Sequence, residues 1–248
     1  MPELLAGDKV LTANGYQTLY AFVHQDSQTT AEFLQFHTKE HPTPLEITSQ
    51  HLLFVVGKPH AVPARSIQPG DLLQSSRWPN GVIVNAVTSV WRHGIYAPLT
   101  KDGTLAVDGI VSSCYVALQN NAGEYVELNG GISTGLSQHF VSHLAMSPVR
   151  LACIGISTSL CNSYDHKGFA HFAKVGLAFA EFADSQSLPV QGMLLAAYLL
   201  VFGFLFLLEF LLGCRLALLA VIGVVVSASQ RLFSTMNKPK PAHKEKEC

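Results

Sequence analysis

Thr48 and His51 lie three residues apart within Leu45-Glu-Ile-Thr-Ser-Gln-His-Leu-Leu-Phe-Val55, at the junction of two apolar, strand-like runs. A hydroxyl and an imidazole held this close on a stiff β scaffold can grip one amide bond. The hydroxyl hydrogen-bonds to it and the imidazole donates a proton to its nitrogen. Taken alone, a T-x-x-H pair is an unspecific signal, and a histidine beside a strand ordinarily serves the fold. The surroundings sharpen it: Gly7-Asp8 and Gly70-Asp71 form turns before and after it, and Ser113-Cys114-Tyr115 follows downstream. His139 and His143 are four apart and would share one helix face. No H-E-x-x-H glutamate or third ligand accompanies them, so neither a metal nor another cofactor is expected there.

The elements that position these groups read as β from residue 1 to 118. Runs rich in Val, Ile, Thr, Leu and Phe predict strands at Thr18–His24, Ala31–His37, Leu52–Val56, Val82–Trp91 and Ile110–Leu118. Turns fall at Asn14-Gly15, Gly57-Lys58-Pro59, Pro79-Asn80-Gly81 and Lys101-Asp102-Gly103. An internal repeat relates Leu5-Ala6-Gly7-Asp8-Lys9-Val10-Leu11 to Ile67-Gln68-Pro69-Gly70-Asp71-Leu72-Leu73, which predicts two similar β subdomains. Residues 119–187 change character. Asn120-Asn121-Ala122-Gly123 and Asn129-Gly130-Gly131 are loop-like, whereas His139–Met146 and Gly168–Phe182 carry a helical period. Phe169, Phe172, Gly176, Phe179 and Phe182 form an apolar stripe, expected to pack on the domain, with a membrane surface as the alternative.

Composition shifts again at Leu188. No charged residue occurs from Leu188 to Leu208, and after Glu209 and Arg215 a second apolar run continues from Leu216 to Val226. A bilayer is crossed by about 20 apolar residues, so 188–230 is expected to be membrane-inserted, either as one long span or as a hairpin turning near Gly213-Cys214-Arg215. Arg231, Lys238, Lys240, Lys244 and Lys246 make 231–248 a basic, disordered tail. That bias places the tail in the cytosol and residues 1–187 in the lumen or outside the cell. Met-Pro-Glu-Leu-Leu-Ala-Gly-Asp is too short and too polar for a secretory signal, so a lumenal domain requires sequence upstream of Met1. The formal net charge of −1 carries no footprint of nucleic-acid binding. Five cysteines without a C-x-x-C pair form neither a disulfide scaffold nor a zinc site, though Cys153 and Cys161 could close one loop in an oxidising compartment.

With these pieces placed, the chain resembles the Hint module of hedgehog-type proteins, the self-processing C-terminal domain of the precursor. The resemblance rests on Ala6-Gly7-Asp8-Lys9-Val10-Leu11, Phe22-Val23-His24, Thr48-Ser49-Gln50-His51-Leu52-Leu53-Phe54-Val55 and Pro69-Gly70-Asp71. It continues through Gly94-Ile95-Tyr96-Ala97-Pro98-Leu99-Thr100, Val107-Asp108-Gly109, Ser112-Ser113-Cys114-Tyr115 and His143-Leu144-Ala145-Met146-Ser147-Pro148. It is strong over residues 4–118, thins out toward 180, and does not extend past 188.

What the resemblance implies is an all-β horseshoe of two pseudo-symmetric halves followed by a helical, sterol-recognition-like region, while the transmembrane helix after it is read from the uncharged apolar run alone. It also implies self-cleavage. A Cys thiol attacks the carbonyl before it, an N-to-S acyl shift gives a thioester, and cholesterol or another sterol, another nucleophile or water releases the upstream part. Thr48 would bond at the scissile peptide and His51 would protonate the departing nitrogen. The nucleophilic Cys that opens such modules is expected upstream of Met1, with the first strand. Cys114 matches the family's second cysteine, near the site. His24 stands where sterol-using members carry an acidic base, and a histidine can fill that role near neutral pH. The partners implied are the chain's own N-terminal precursor part, a sterol and a membrane. The alternative function is a catalytically inactive, membrane-anchored Hint module that acts in binding.

Overall fold

The structure is a computed structural model that describes residues 3–119, 123–155, 161 and 163–236, with side chains described to Gly213. The chain begins with a hairpin of β1 (Lys9–Thr12) and β2 (Gly15–Thr18). There follow β3 (Ala21–Thr38), β4 (Leu45–Ile47), β5 (His51–Leu53), β6 (Val62–Pro63), a 3-10 turn at Ala64–Ser66 and β7 (Leu72–Leu73). β8 (Val82–Leu99), β9 (Thr104–Val107) and β10 (Ile110–Val116) complete the β domain. They assemble as two four-stranded sheets, in the orders β6-β5-β10-β9 and β4-β3-β8-β7.

Two predicted strands, Thr18–His24 and Ala31–His37, turn out to belong to one. β3 and β8 are each 18 residues long and pair antiparallel over their length. The polar stretch between the two predicted strands is absorbed as a bulge rather than a turn. The Asp26 carboxylate accepts from the Gln28 amide at 2.7 Å and from the Thr29 hydroxyl, which satisfies the groups the ladder skips.

The repeat seen in the sequence is a repeat of hydrogen bonds. Leu5 and Gln68 each donate their amide to the carboxylate of the aspartate three residues on, both at 2.8 Å. The amides of Asp8 and Asp71 return to the carbonyls of Leu5 and Gln68, both at 3.1 Å. Between them sit Gly7 and Gly70 at φ 106° and 99°, a conformation that favours glycine. Each turn then hands its strand to a partner in its own half, Leu19 in one and Val84 in the other.

Each half has its own core. One gathers Val10, Leu19, Phe22, Leu52, Leu99 and Tyr115. The other gathers Phe36, Leu45, Leu53, Val62, Leu73, Val84 and Ile110. β3 and β8 thread both cores from opposite ends, and adjacent residues of β5, Leu52 and Leu53, point into different ones. Alternation along a strand puts successive side chains on opposite faces, so β5 and its partner β10 are pinned at the seam of the two halves.

Residues 119–187 are less helical than expected. A hairpin of β11 (Tyr125–Leu128) and β12 (Ile132–Ser137) turns at Asn129-Gly130, and only then do helices begin. They are α1 (Gln138–Ala145), α2 (Ser147–Gly155) and α3 (His171–Asp184). The Ser137 hydroxyl accepts the Phe140 amide and caps α1. Asn120, Asn121 and Ala122 lie outside the described residues. Cys153 and Cys161 are joined as a disulfide.

The apolar stripe of α3 divides. Phe172 packs against the first core, while Val175, Phe179 and Phe182 are exposed, Val175 at 72%. The expected packing role therefore holds for one end of the stripe only, because α3 touches the domain through Ala173 and Phe172 and leaves the adjoining face uncovered.

α4 (Leu188–Met236) runs unbroken past Gly213-Cys214-Arg215 and past residue 230. Residues 237–248, the rest of the expected tail, lie outside the described ones. Among the described residues, Leu188–Gly213 is the one helix stretch long and apolar enough to cross a membrane. Its first turns are tied to the domain: Gln191 accepts from the Asn129 amide at 2.7 Å and the Tyr198 hydroxyl donates to the Val141 carbonyl at 2.6 Å.

Candidate active site

Thr48 and His51 are brought together by a turn in which the His51 amide donates to the Thr48 carbonyl at 3.0 Å. The segment is clamped on both sides, since Arg65 donates to the Ser49 carbonyl and Ala117 to the Gln50 carbonyl. Opposite His51, β10 carries a bulge: Ser112 pairs with Leu53 and Val116 with His51, which leaves Ser113, Cys114 and Tyr115 outside the regular register. Such a bulge re-aims backbone and side chains beside a site. Here it turns the Ser113 carbonyl onto His51 Nε2, at 2.7 Å.

That contact decides the chemistry of the imidazole. A carbonyl oxygen only accepts, so Nε2 carries the proton and Nδ1 keeps its lone pair. Desolvation pushes the His51 pKa below its ordinary value, and the Ser113 carbonyl offsets this in part. The ring is therefore a neutral base at physiological pH. Once protonated at Nδ1 it is a stronger acid than a solvated imidazolium, which suits delivery of a proton to a departing amide nitrogen.

Ser113 serves a second histidine. Its hydroxyl accepts from the Tyr115 amide at 2.9 Å and lies 2.9 Å from His139 Nδ1. A hydroxyl offers one proton and two lone pairs, so this contact holds with either tautomer of His139. One helical turn on, an arginine decides the tautomer. Tyr115 Oη lies 2.9 Å from His143 Nδ1, and the buried Arg150, which can only donate, lies 3.4 Å from the same nitrogen. His139 and His143 thus stand as parallel neutral rings, 6.0 Å between centroids and 5° apart in plane. Desolvation, aided by His60 for one and by Arg150 and His139 for the other, pushes their pKa values down to about 4 and about 3. Both line a cavity of about 510 Å³ together with Phe54, His60, Leu136 and Phe140. The volume lies within the range of small-molecule sites, roughly 300–1,000 Å³. Among the described residues no group of three potential metal ligands converges.

Cys114 is 4% exposed, and desolvation pushes its thiol up to about 11. Its Sγ lies 3.5 Å from the Thr100 hydroxyl, and its amide donates to Gly103. A thiol so placed stays protonated and is a packing and hydrogen-bonding group in this state rather than a nucleophile. Behind it stands a group that sequence reading took only for a turn residue. Asp102 accepts at one oxygen from Thr12, Asn14 and Gln17 and at the other from the Thr104 amide and hydroxyl, with the Thr100 hydroxyl 3.1 Å away. Burial alone would raise the Asp102 pKa, but the Thr104 amide and the Thr12, Thr104 and Thr100 hydroxyls outweigh it and hold it below the ordinary carboxylate value. This carboxylate ties the β1–β2 hairpin to the turn that holds Cys114.

His24 follows Phe22 and Val23, which belong to the same core as Leu52 and Cys114. It is 7% exposed on β3, paired with Ala97, and its ring is covered by Phe169. Among the described residues its contacts run to the segment before α3 and not to Thr48, His51 or Cys114. Gly103 and Ser113 were within reach of sequence reading, the first as a turn glycine and the second inside the Ser-Cys-Tyr run. Their roles depend on neighbours far along the chain.

An all-β domain of two hydrogen-bonded halves with a Thr-His turn at their seam is the architecture of a Hint module. The family profile of that module matches residues 1–125, just over half of the 248 residues, and the chain belongs to the Hint module family. Its relatives include the Sonic hedgehog protein of Danio rerio, 28% identical over 164 residues that cover 60% of this chain and 35% of that protein. Another is Protein hedgehog of Drosophila erecta, 32% identical over 139 residues, covering 48% and 28%. A third is Protein qua-1 of Caenorhabditis elegans, 29% identical over 147 residues, covering 49% and 12%. The chain spans about a third of the length of the vertebrate relative it matches, 35%. Similar solved structures include the VidaL intein, at TM-score 0.34 and 17% identity over 42% of this chain and 68% of that one. The gp41-1 intein is similar at TM-score 0.38 and 10% identity, over 45% and 83%.

Proposed function

We propose that this chain is the processing domain of a self-cleaving precursor, anchored to a membrane by α4. The reading is carried by one observation: the Ser113 carbonyl lies 2.7 Å from His51 Nε2 and holds the ring's proton there, which leaves Nδ1 as the basic nitrogen. A cysteine upstream of Met1 would give its thiol proton to His51 Nδ1. The sulfur adds to the preceding carbonyl, His51 returns the proton to the amide nitrogen, and the C–N bond breaks to leave a thioester. General-acid help of this kind is worth about 10²–10⁴-fold, and the thioester divides one hard step into two easier ones. In the second step the acceptor is an alcohol such as cholesterol, another nucleophile, or water. Its proton goes to His24 Nδ1, its oxygen bonds to the thioester carbon, and the sulfur leaves. The uncharged stretch of Leu188–Leu208 holds the domain at the bilayer, with residues 1–187 lumenal or extracellular and the tail cytosolic.

The test is a precursor that extends upstream of Met1 in its native frame, incubated with dithiothreitol. Cleavage directly before a cysteine, lost in His51→Ala, is the expected result. Cleavage that survives His51→Ala removes the role given to this histidine. No thiol-induced cleavage in the unmodified precursor overturns the whole reading.

A further inference from the structure

His24 is engaged by a segment the processing chemistry has not used. Ser163–His171 crosses β3 on the side away from β8. The Gln25 amide donates to the Gly168 carbonyl and the Ala170 amide donates to the Val23 carbonyl, both at 2.9 Å, so the two bonds flank His24. Gly168 has φ +75°, and a Cβ there would lie 2.4 Å from the Gln25 carbonyl oxygen. Only glycine lets the segment lie this close. The turn is fixed from within by Asp165, whose Oδ1 accepts from the Lys167 amide at 2.8 Å and the Phe169 amide at 2.9 Å. Its other oxygen pairs with Lys174 of α3. The segment is thereby built onto both β3 and α3.

Two groups of this segment land on the imidazole. The Phe169 ring lies parallel over it, 3.9 Å between centroids and 22° in plane. The Lys167 carbonyl lies 2.8 Å from Nε2. We propose that Ser163–His171 is a positioning strap for His24, in which Lys167 and Phe169 select the tautomer and fix the ring plane that let His24 act as the base of the release step. This rests on the proposed processing reaction. The physical reason is the asymmetry of imidazole. A carbonyl only accepts, so the proton stays on Nε2 and the lone pair stays on Nδ1. Among the described residues Nδ1 has no hydrogen-bond partner. When Nδ1 takes the acceptor's proton, the Nε2–H bond to Lys167 strengthens as a charge-assisted one and steadies the imidazolium. The proton then passes to the departing sulfur, and the ring returns to its starting state. An unstrapped imidazole would spread over both tautomers and several ring orientations, and a base out of line costs rate steeply. A carboxylate at position 24 would need no such selection, because it has no tautomer.

Two experiments test the strap. In the chain with ¹⁵N-labelled histidine in detergent micelles, the His24 signals are assigned by their absence in His24→Gln. The expected wild-type spectrum is that of the Nε2–H tautomer, with mixed tautomers in Phe169→Ala and Gly168→Ala. An Nδ1–H tautomer in the wild type, or the same tautomer in both variants, overturns the proposal. The second experiment uses the full precursor and reads thiol-induced cleavage beside thiol-free release, with and without cholesterol in the micelles. Phe169→Ala is expected to leave thiol-induced cleavage within about twofold and to slow thiol-free release at least about tenfold, with Phe169→Trp restoring it. In a His24→Asp background Phe169→Ala should slow release little. Equal loss of both reactions in Phe169→Ala assigns the segment to the fold and overturns the strap, as does unchanged release. Absence of thiol-induced cleavage in the wild type refutes the processing reaction, whatever the tautomer spectrum shows.

Discussion

Replacing Asp102 measures how much of the site's frame hangs on one carboxylate. Its partners come from three places: Thr12, Asn14 and Gln17 on the first hairpin, Thr100 at the end of β8, and Thr104 at the start of β9. They are unequal. The Thr12 hydroxyl has the Gly15 carbonyl as an alternative at 2.8 Å, and Thr100 has the Thr104 carbonyl at 2.7 Å. Asn14 is exposed and can turn to water. The groups orphaned by Asp102→Ala are the buried amide and hydroxyl of Thr104, and in part the Gln17 amide. A buried donor without a partner costs about 1–3 kcal/mol, so Asp102→Ala should destabilise by about 3–5 kcal/mol. Asp102→Asn keeps an acceptor toward Thr104 but turns an NH₂ toward Thr12, Asn14 and Gln17, and should cost about 2 kcal/mol.

Urea unfolding followed by the fluorescence of Trp78 and Trp91, in mild detergent, would read both. The sign of the pH dependence follows from the depressed folded pKa. The carboxylate's stabilising contribution is present above the unfolded value of about 3.8 and is lost as pH falls through the folded one. The gap between wild type and Asp102→Asn should therefore be flat from pH 7 to about 5 and close at lower pH. A cost below about 1 kcal/mol for Asp102→Ala, or equal costs for the two variants, would refute the hub.

Three further outcomes follow from the same geometry. His139 and His143, with pKa values of about 4 and about 3, are protonated more readily in the unfolded chain, so stability should fall as pH drops from 6.5 toward 4. The slope is up to about 1.4 kcal/mol per pH unit for each. His139→Asn, which keeps a hydrogen-bond partner for the Ser113 hydroxyl, should flatten it by up to that amount in the same unfolding assay, and an unchanged slope would show that His139 does not titrate as argued. Gly103→Ala puts a Cβ 2.7 Å from His143 Nδ1 and 2.8 Å from the Tyr115 ring at φ +73°, and should cost about 2–4 kcal/mol; a neutral effect on the unfolding midpoint would mean that the approach is looser. Cys114, with its thiol near 11, should be alkylated by iodoacetamide at least about a hundredfold more slowly in the folded chain than after unfolding, read by peptide mass mapping. Comparable labelling in both states would contradict its burial.

By itself the sequence determined what is local or periodic. The Gly-Asp turns, the Thr48–His51 spacing, the alternation of the β runs and the length of the uncharged stretch after Leu188 are each set by residues close together in the chain. For that reason the two-halved β fold, and the pair at its seam, could be read without coordinates. What only the tertiary structure decided is which distant groups meet. The Ser113 carbonyl fixes the proton of His51 across 62 residues, and Lys167 reaches His24 across 143. Asp102 collects donors from 85 to 90 positions away, though its own neighbours in sequence spell nothing more than a turn. Helical period alone could not say how the α3 stripe divides, because Phe172 meets a core and Phe179 does not. Hydrogen bonds and desolvation act over a few ångströms of space, whereas a sequence orders residues by distance along the chain. The tautomer of His51 and the depressed imidazole pKa values therefore arise only once groups distant along the chain have packed together.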